Sequence, residues 1–128
     1  MNKEIYNVID YAKSKNIEVV FGEYEDEAIF EKSLIKINDY QSDEMKLYVL
    51  LHEVGHFELY NNENYKEEYF GKFYAKSNNA YKISYLMEEM DAWKEGKRIA
   101  KNLGIEINSN KWNQKMVRCL FAHYKYIR

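Results

Sequence analysis

A chain of 128 residues has room for one domain with a modest core and none for a separate recognition module. Its 19 basic and 21 acidic side chains leave a formal charge of −2, which gives no general pull towards nucleic acid, and no apolar run reaches transmembrane length. A lone cysteine, Cys119, excludes an internal disulfide and reads as a packed thiol, while Lys3, Glu4 and Asp10 stand where a signal peptide needs an apolar stretch, so a cytoplasmic protein is expected.

From the start of the chain, Asn2 to Lys15 reads as an amphipathic helix with Ile5, Val8, Ile9 and Ala12 on one face. A strand is predicted over Ile17 to Phe21. The acidic, glycine-bearing stretch Gly22 to Glu27 reads as a turn into a second strand at Ala28 to Phe30. In Ser33 to Asn38, Leu34, Ile35 and Ile37 are set against Lys36, which predicts a third strand. Leu34 to Asn38 has two readings, an ordinary hairpin strand or an edge that pairs with the backbone of a bound peptide.

Ser42 followed by Asp43 and Glu44 has the form of an N-cap with acidic residues in the first turn, and apolar residues recur at helical spacing from Met45 to Tyr60. Within this helix lies Leu51-His52-Glu53-Val54-Gly55-His56. Residues four apart sit one turn above each other on one face, so His52 and His56 can reach a single metal ion, with Glu53 beside it to activate water. This His-Glu-x-x-His pattern is that of zinc-dependent hydrolases, most often of peptide bonds. Leu47, Leu50, Leu51, Val54 and Phe57 would seat the helix in the core. Gly55, costly in a helix interior, suggests close approach of another backbone.

Asn61 to Ala80 is polar and rich in Asn, Lys, Glu and Tyr, and its length suggests a surface loop contacting substrate, with a short packed helix as the alternative. The next helix is predicted over Ser84 to Leu103. At about 100° per residue, Tyr85, Leu86, Met90, Ala92, Trp93, Gly96, Ala100 and Leu103 gather on one broad arc. Glu89 falls near the centre of that arc, where a carboxylate is expensive unless paired or bound to a cation. It is therefore the expected third metal ligand, with Glu88 and Asp91 as alternatives. Ala92 and Gly96 leave room for the motif helix. The last stretch, Asn108 to Arg128, reads as a helix begun by Asn108 or Ser109 with Trp112, Met116, Leu120 and Tyr124 inward. It carries Lys111, Lys115, Arg118, Lys125 and Arg128 and no acid, which reads as a balance to acidic surface elsewhere; direct nucleic-acid binding is not expected. His123 reads either as a packed or surface residue or as a hydrogen-bond donor to the transition state. A metzincin site would need Gly in place of Leu59 and His in place of Asn62, and has neither.

The segment Leu50-Leu51-His52-Glu53-Val54-Gly55-His56, followed after an insert by Glu89-Met90-Asp91-Ala92-Trp93, resembles the small ImmA/IrrE-type metallopeptidases, whose second motif has the form Glu-x-Glu-Ala-x. The likeness runs from about Ile17 to Leu103. It implies a gluzincin-like site in which His52, His56 and Glu89 hold zinc and Glu53 is the general base, in a protein of bacteria or their mobile elements. It also implies a protein substrate, of the kind of a helix-turn-helix transcriptional regulator. Asp91 and Trp93 depart from the residues common in that second motif.

Together these readings predict a single α+β domain over residues 1–128, zincin-like, with an N-terminal helix, a three-stranded sheet, the motif helix, a second ligand-bearing helix and a C-terminal helix. The expected activity is hydrolysis of a protein or peptide substrate with zinc as cofactor and no membrane partner. Tyr81, Tyr85 and His123 are the residues that offer themselves to stabilise an oxyanion. The competing expectation is a mobile-element binding or inhibitor protein that keeps the scaffold with zinc in a mainly structural role.

Overall fold

The computed structural model describes residues 1–68 and 79–127. Helix α1 (Lys3–Ser14) starts at Asn2, whose side chain accepts a hydrogen bond from the Ile5 amide at 3.0 Å. It buries Ile5, Val8 and Ala12. Strands β1 (Glu18–Gly22), β2 (Glu27–Ile29) and β3 (Leu34–Asn38) follow, with a 3₁₀ turn (Phe30–Lys32) before β3. Ser33, at φ 48°, turns the chain out of that short helix into β3.

The sheet order is β1-β3-β2, with β1 parallel and β2 antiparallel to β3. This corrects one reading of Leu34 to Asn38. As the central strand it has partners on both sides, so it has no free edge for a peptide; the edge strand that lines the cleft described below is β2. The central position also explains its burial: Ile35 and Ile37 are fully enclosed beneath the helices.

Helix α2 (Asp43–Tyr60) begins at Ser42, whose hydroxyl caps the Met45 amide at 3.2 Å. An unbroken run from Leu47 to Gly55 is buried, which makes α2 the central rod of the fold. A short helix α3 (Glu63–Glu68) follows, so the insert is helical at its start; residues 69–78 lie outside the described residues. Helix α4 (Asn79–Asn102) begins five residues before the predicted Ser84. Its buried face is Glu89, Ala92, Trp93, Gly96, Ile99 and Ala100. Met90 was expected on that face but is 36% exposed, because it stands about 100° away from Glu89 around the helix. Helix α5 (Ser109–Ile127) is capped by Asn108, whose side chain accepts from the Lys111 amide at 3.0 Å. Tyr124, predicted inward, is exposed instead.

The helices α2 and α4 cross at glycine. A Cβ on Gly55 would lie 2.3 Å from the Ala92 carbonyl oxygen, and one on Gly96 would lie 2.6 Å from that of Leu51. Absence of side chains at both positions lets the two backbones touch, which brings residues flanking the contact to facing positions. Trp93 of α4 meets Trp112 of α5 edge to face at 5.0 Å, and Trp112 meets Tyr48 of α2 in the same way at 5.2 Å. The Tyr48 hydroxyl also accepts from the Asn108 amide at 2.9 Å and so fixes the start of α5 against α2. The architecture is α+β, with five helices and one mixed three-stranded sheet among the described residues. No helix among them is long and apolar enough to cross a membrane.

Candidate metal centre

His52 and His56 occupy successive turns of α2, with ring centroids 4.6 Å apart. Each is held by an aromatic neighbour. Trp93 stacks on His52 at 4.2 Å with the planes 9° apart, and Phe30 presents its ring to His56 edge to face at 6.5 Å. Phe30 is itself stacked on Tyr60 at 4.3 Å. These contacts leave little rotational freedom to either imidazole.

Both Nε2 atoms point at one oxygen of Glu89. The distances to Oε2 are 3.1 Å from His52 and 2.8 Å from His56. Ligands bound to one zinc ion at 2.0–2.1 Å in tetrahedral array stand about 3.3 Å from each other, so these separations are close to those of atoms sharing an ion. Glu53 adds its carboxylate on the other side, with Oε1 3.5 Å from His52 Nδ1 and 4.0 Å from His56 Nε2. His52, Glu53 and His56 together form a cluster that can hold a metal ion.

Charge supports the same fit. Glu53 and Glu89 are 5% and 8% exposed, and among the described residues neither pairs with a lysine or arginine. Two buried carboxylates that face only imidazoles make an electron-rich hole suited to a divalent cation. Burial pushes the Glu53 carboxyl up to about 7 and drives His52 down to about 4, which favours the uncharged form of that ring. Burial also opposes charge on His56, but the hydrogen bond and charge of Glu89, aided by Glu53, outweigh it and raise its pKa. For Glu89, burial opposes ionisation; the two imidazole hydrogen bonds and the histidine charges overcome this and hold the carboxyl well below the usual range.

Of the three acids proposed as third ligand, Glu89 is the one the fold sets against both imidazoles. Glu88 lines the same cleft half-buried, and burial raises its pKa. Asp91 accepts from the Tyr65 hydroxyl at 3.2 Å. Helical phase explains the separation: Glu89 falls within the face that Ala92 and Gly96 press against α2, whereas positions 88 and 91 both fall to one side of that face, 91 the farther out.

The cluster opens into a cleft of about 1090 Å³, walled by β2, α2, α4 and α5. Its acidic lip, Glu25 to Glu27, is tied down by Asp26, whose carboxylate accepts from the Asn38 amide at 2.8 Å and from the Gln41 side chain at 3.1 Å. Cys119 faces this cleft as well, but burial pushes its thiol pKa up, which opposes a thiolate role.

Tyr85 and His123 both reach the cleft. The His123 Nδ1 atom lies 3.0 Å from the Tyr85 hydroxyl, and its Nε2 lies 3.1 Å from Glu89 Oε1. Tyr81 stacks against Tyr85 at 6.4 Å and does not line the cleft. A sequence pattern favours the site reading of His123 over the surface one: Trp112, Met116, Cys119 and His123 recur at spacings of four, three and four along one side of α5. That stripe begins in the core at Trp112 and runs into the cleft. Comparison of the chain with protein-family models, with curated proteins and with solved structures gave no match.

Proposed function

We propose that this chain is a zinc-dependent metallopeptidase of the zincin type, in which His52, His56 and Glu89 hold the metal and Glu53 is the general base. The observation that carries this reading is the convergence of both Nε2 atoms on Glu89 Oε2, at 3.1 and 2.8 Å, beside a buried Glu53. Two neutral imidazoles and a carboxylate are a common catalytic zinc set, and they leave one coordination position open.

When bound, zinc supplies Lewis acidity, which brings the pKa of water towards neutrality and polarises a carbonyl. Glu53 takes a proton from the attacking water and passes it to the departing amine, so one water is added across the broken C–N bond. Burial raises the affinity of the Glu53 carboxylate for a proton, which suits a general base. The aromatic contacts of Trp93 and Phe30 hold the imidazoles in place, and the cleft beyond them has room for several residues of an extended chain. The resemblance of the two motifs to the ImmA/IrrE type suggests a regulatory protein as substrate and a cytoplasmic setting.

The test is incubation of the zinc-loaded chain with a mixture of unfolded polypeptides of varied sequence, followed by mass spectrometry of the products. New amino termini should accumulate, stop forming when a chelator is added, and return with zinc. A protein that binds zinc yet cuts nothing, and instead retains one partner in a stable stoichiometric complex, would favour the binding-protein alternative.

A further inference from the structure

The two oxygens of Glu89 face different partners. Oε2 is turned to His52 and His56, while Oε1 is 3.1 Å from Nε2 of His123. This is a close approach of ring and carboxylate, which favours a proton on that nitrogen without forming an aligned hydrogen bond. In the neutral ring Nδ1 is then an acceptor, and the Tyr85 hydroxyl 3.0 Å away donates to it. Tyr85 and Glu89 are one turn apart on α4, and the ring that bridges them comes from α5. The bridge favours one tautomer of His123 and holds its Nε2 edge beside a single oxygen.

A carboxylate free at both oxygens can meet a cation through one of them or through both. With the His123 ring 3.1 Å from Oε1, a cation that used this oxygen would have to share it with the ring, whereas Oε2 faces the two ligand imidazoles. We propose that His123, oriented by Tyr85, is a positioning residue that occupies Oε1 of Glu89 and thereby makes Glu89 a one-oxygen ligand beside His52 and His56. This inference rests on the reading of Glu89 as a zinc ligand. Its consequence is to keep a further coordination position open for chemistry, and contacts of this kind to a ligand also strengthen metal binding.

The full chain and zinc itself serve for the test. Zinc dissociation constants are measured by competition with a chromogenic chelator for the parent, His123→Ala, His123→Gln and Tyr85→Phe, with X-ray absorption at the zinc edge on each loaded protein. His123→Ala is expected to weaken zinc binding by about 10–100-fold and to shift the carboxylate from one-oxygen to two-oxygen coordination. His123→Gln keeps an N–H able to reach Oε1 and restores most of the affinity and the one-oxygen signature, which a packing role for the ring would not do. Tyr85→Phe loses a smaller part of the affinity. Parent-like affinity and coordination in His123→Ala overturn the inference, and so does a third imidazole around zinc in the parent, since His123 is then a ligand. Should His123→Ala fail to fold, Tyr85→Phe decides it: weakened binding supports the role, and parent-like affinity with parent-like coordination overturns it. A parent that binds no zinc at all contradicts instead the ligand reading on which this one stands.

Discussion

Glu53→Gln is expected to keep zinc bound at one equivalent while peptide cleavage falls by about 10²–10⁴-fold. Gln has the shape of Glu and fills the same buried position, so the packing of α2 is retained; what it lacks is the capacity to take a proton. The side chain is almost wholly enclosed, within 3.5 Å of His52 and 4.0 Å of His56, and Glu89 rather than Glu53 faces the two Nε2 atoms through a single oxygen. The roles of the two acids are therefore separable by mutation. Removal of Glu89 should release the metal, and removal of the Glu53 base should leave the metal in an inert site. The check is paired, with metal content by atomic emission and turnover on the same preparation. Cleavage at the parental rate by a zinc-loaded Glu53→Gln protein would remove the general base from the account.

Gly55→Ala is expected to lower stability by about 1–3 kcal/mol, through overpacking at a contact that cannot relax cheaply. Helix propensity alone works in the other direction and favours alanine by about 1 kcal/mol. The clash decides the sign, because the added Cβ would sit 2.3 Å from the Ala92 carbonyl oxygen and 3.0 Å from the Gly96 amide nitrogen, both backbone atoms of α4. Relief requires the two helices to part. That displacement carries Glu89 away from His52 and His56, and metal sites tolerate ligand displacements of only about 0.2 Å, so zinc affinity should fall by about tenfold or more as well. Thermal melting of the metal-free protein reads the first effect, with a drop of about 3–6 °C for each kcal/mol in a domain of this size. Chelator competition reads the second. Unchanged melting and unchanged affinity in Gly55→Ala would show that the close crossing of α2 and α4 does not govern the site.

The parts of this site that were legible in the sequence are those fixed by helical periodicity. The spacing of His52 and His56 is local, and the placing of Glu89 followed from its position amid apolar neighbours on a single rod. Gly55, Ala92 and Gly96 could be read as a crossing because small residues in helix interiors have few other uses. What local patterns do not carry is the choice of neighbour. Leu34 to Asn38 alternates like any half-buried strand, and nothing in those residues says that β1 and β2 will flank it on either side. Met90 belongs to the apolar arc of α4 but lies outside its buried face, which is the narrower stripe through Glu89, Trp93, Gly96 and Ala100. Its thioether instead helps to leave an apolar strip on α4, together with exposed Ile83 and Met87. Which of its two readings applies to His123 is hidden from the sequence for a related reason. Its stripe on α5 was visible, but that the stripe would end beside Glu89 depends on how α5 is docked, through Trp112 on Trp93 and Tyr48 on Asn108. The stacking of Trp93 on His52 was hidden in the same way, since the tryptophan reads as core and the histidine as ligand until the helices are put together.

The most direct test of the account is a crystal of the protein grown with zinc and measured on both sides of the zinc absorption edge. An anomalous peak is expected within bonding distance, about 2.0–2.2 Å, of Nε2 of His52, Nε2 of His56 and one oxygen of Glu89. A peak elsewhere on the protein, or a crystal soaked in zinc with no peak between these three side chains, would contradict it.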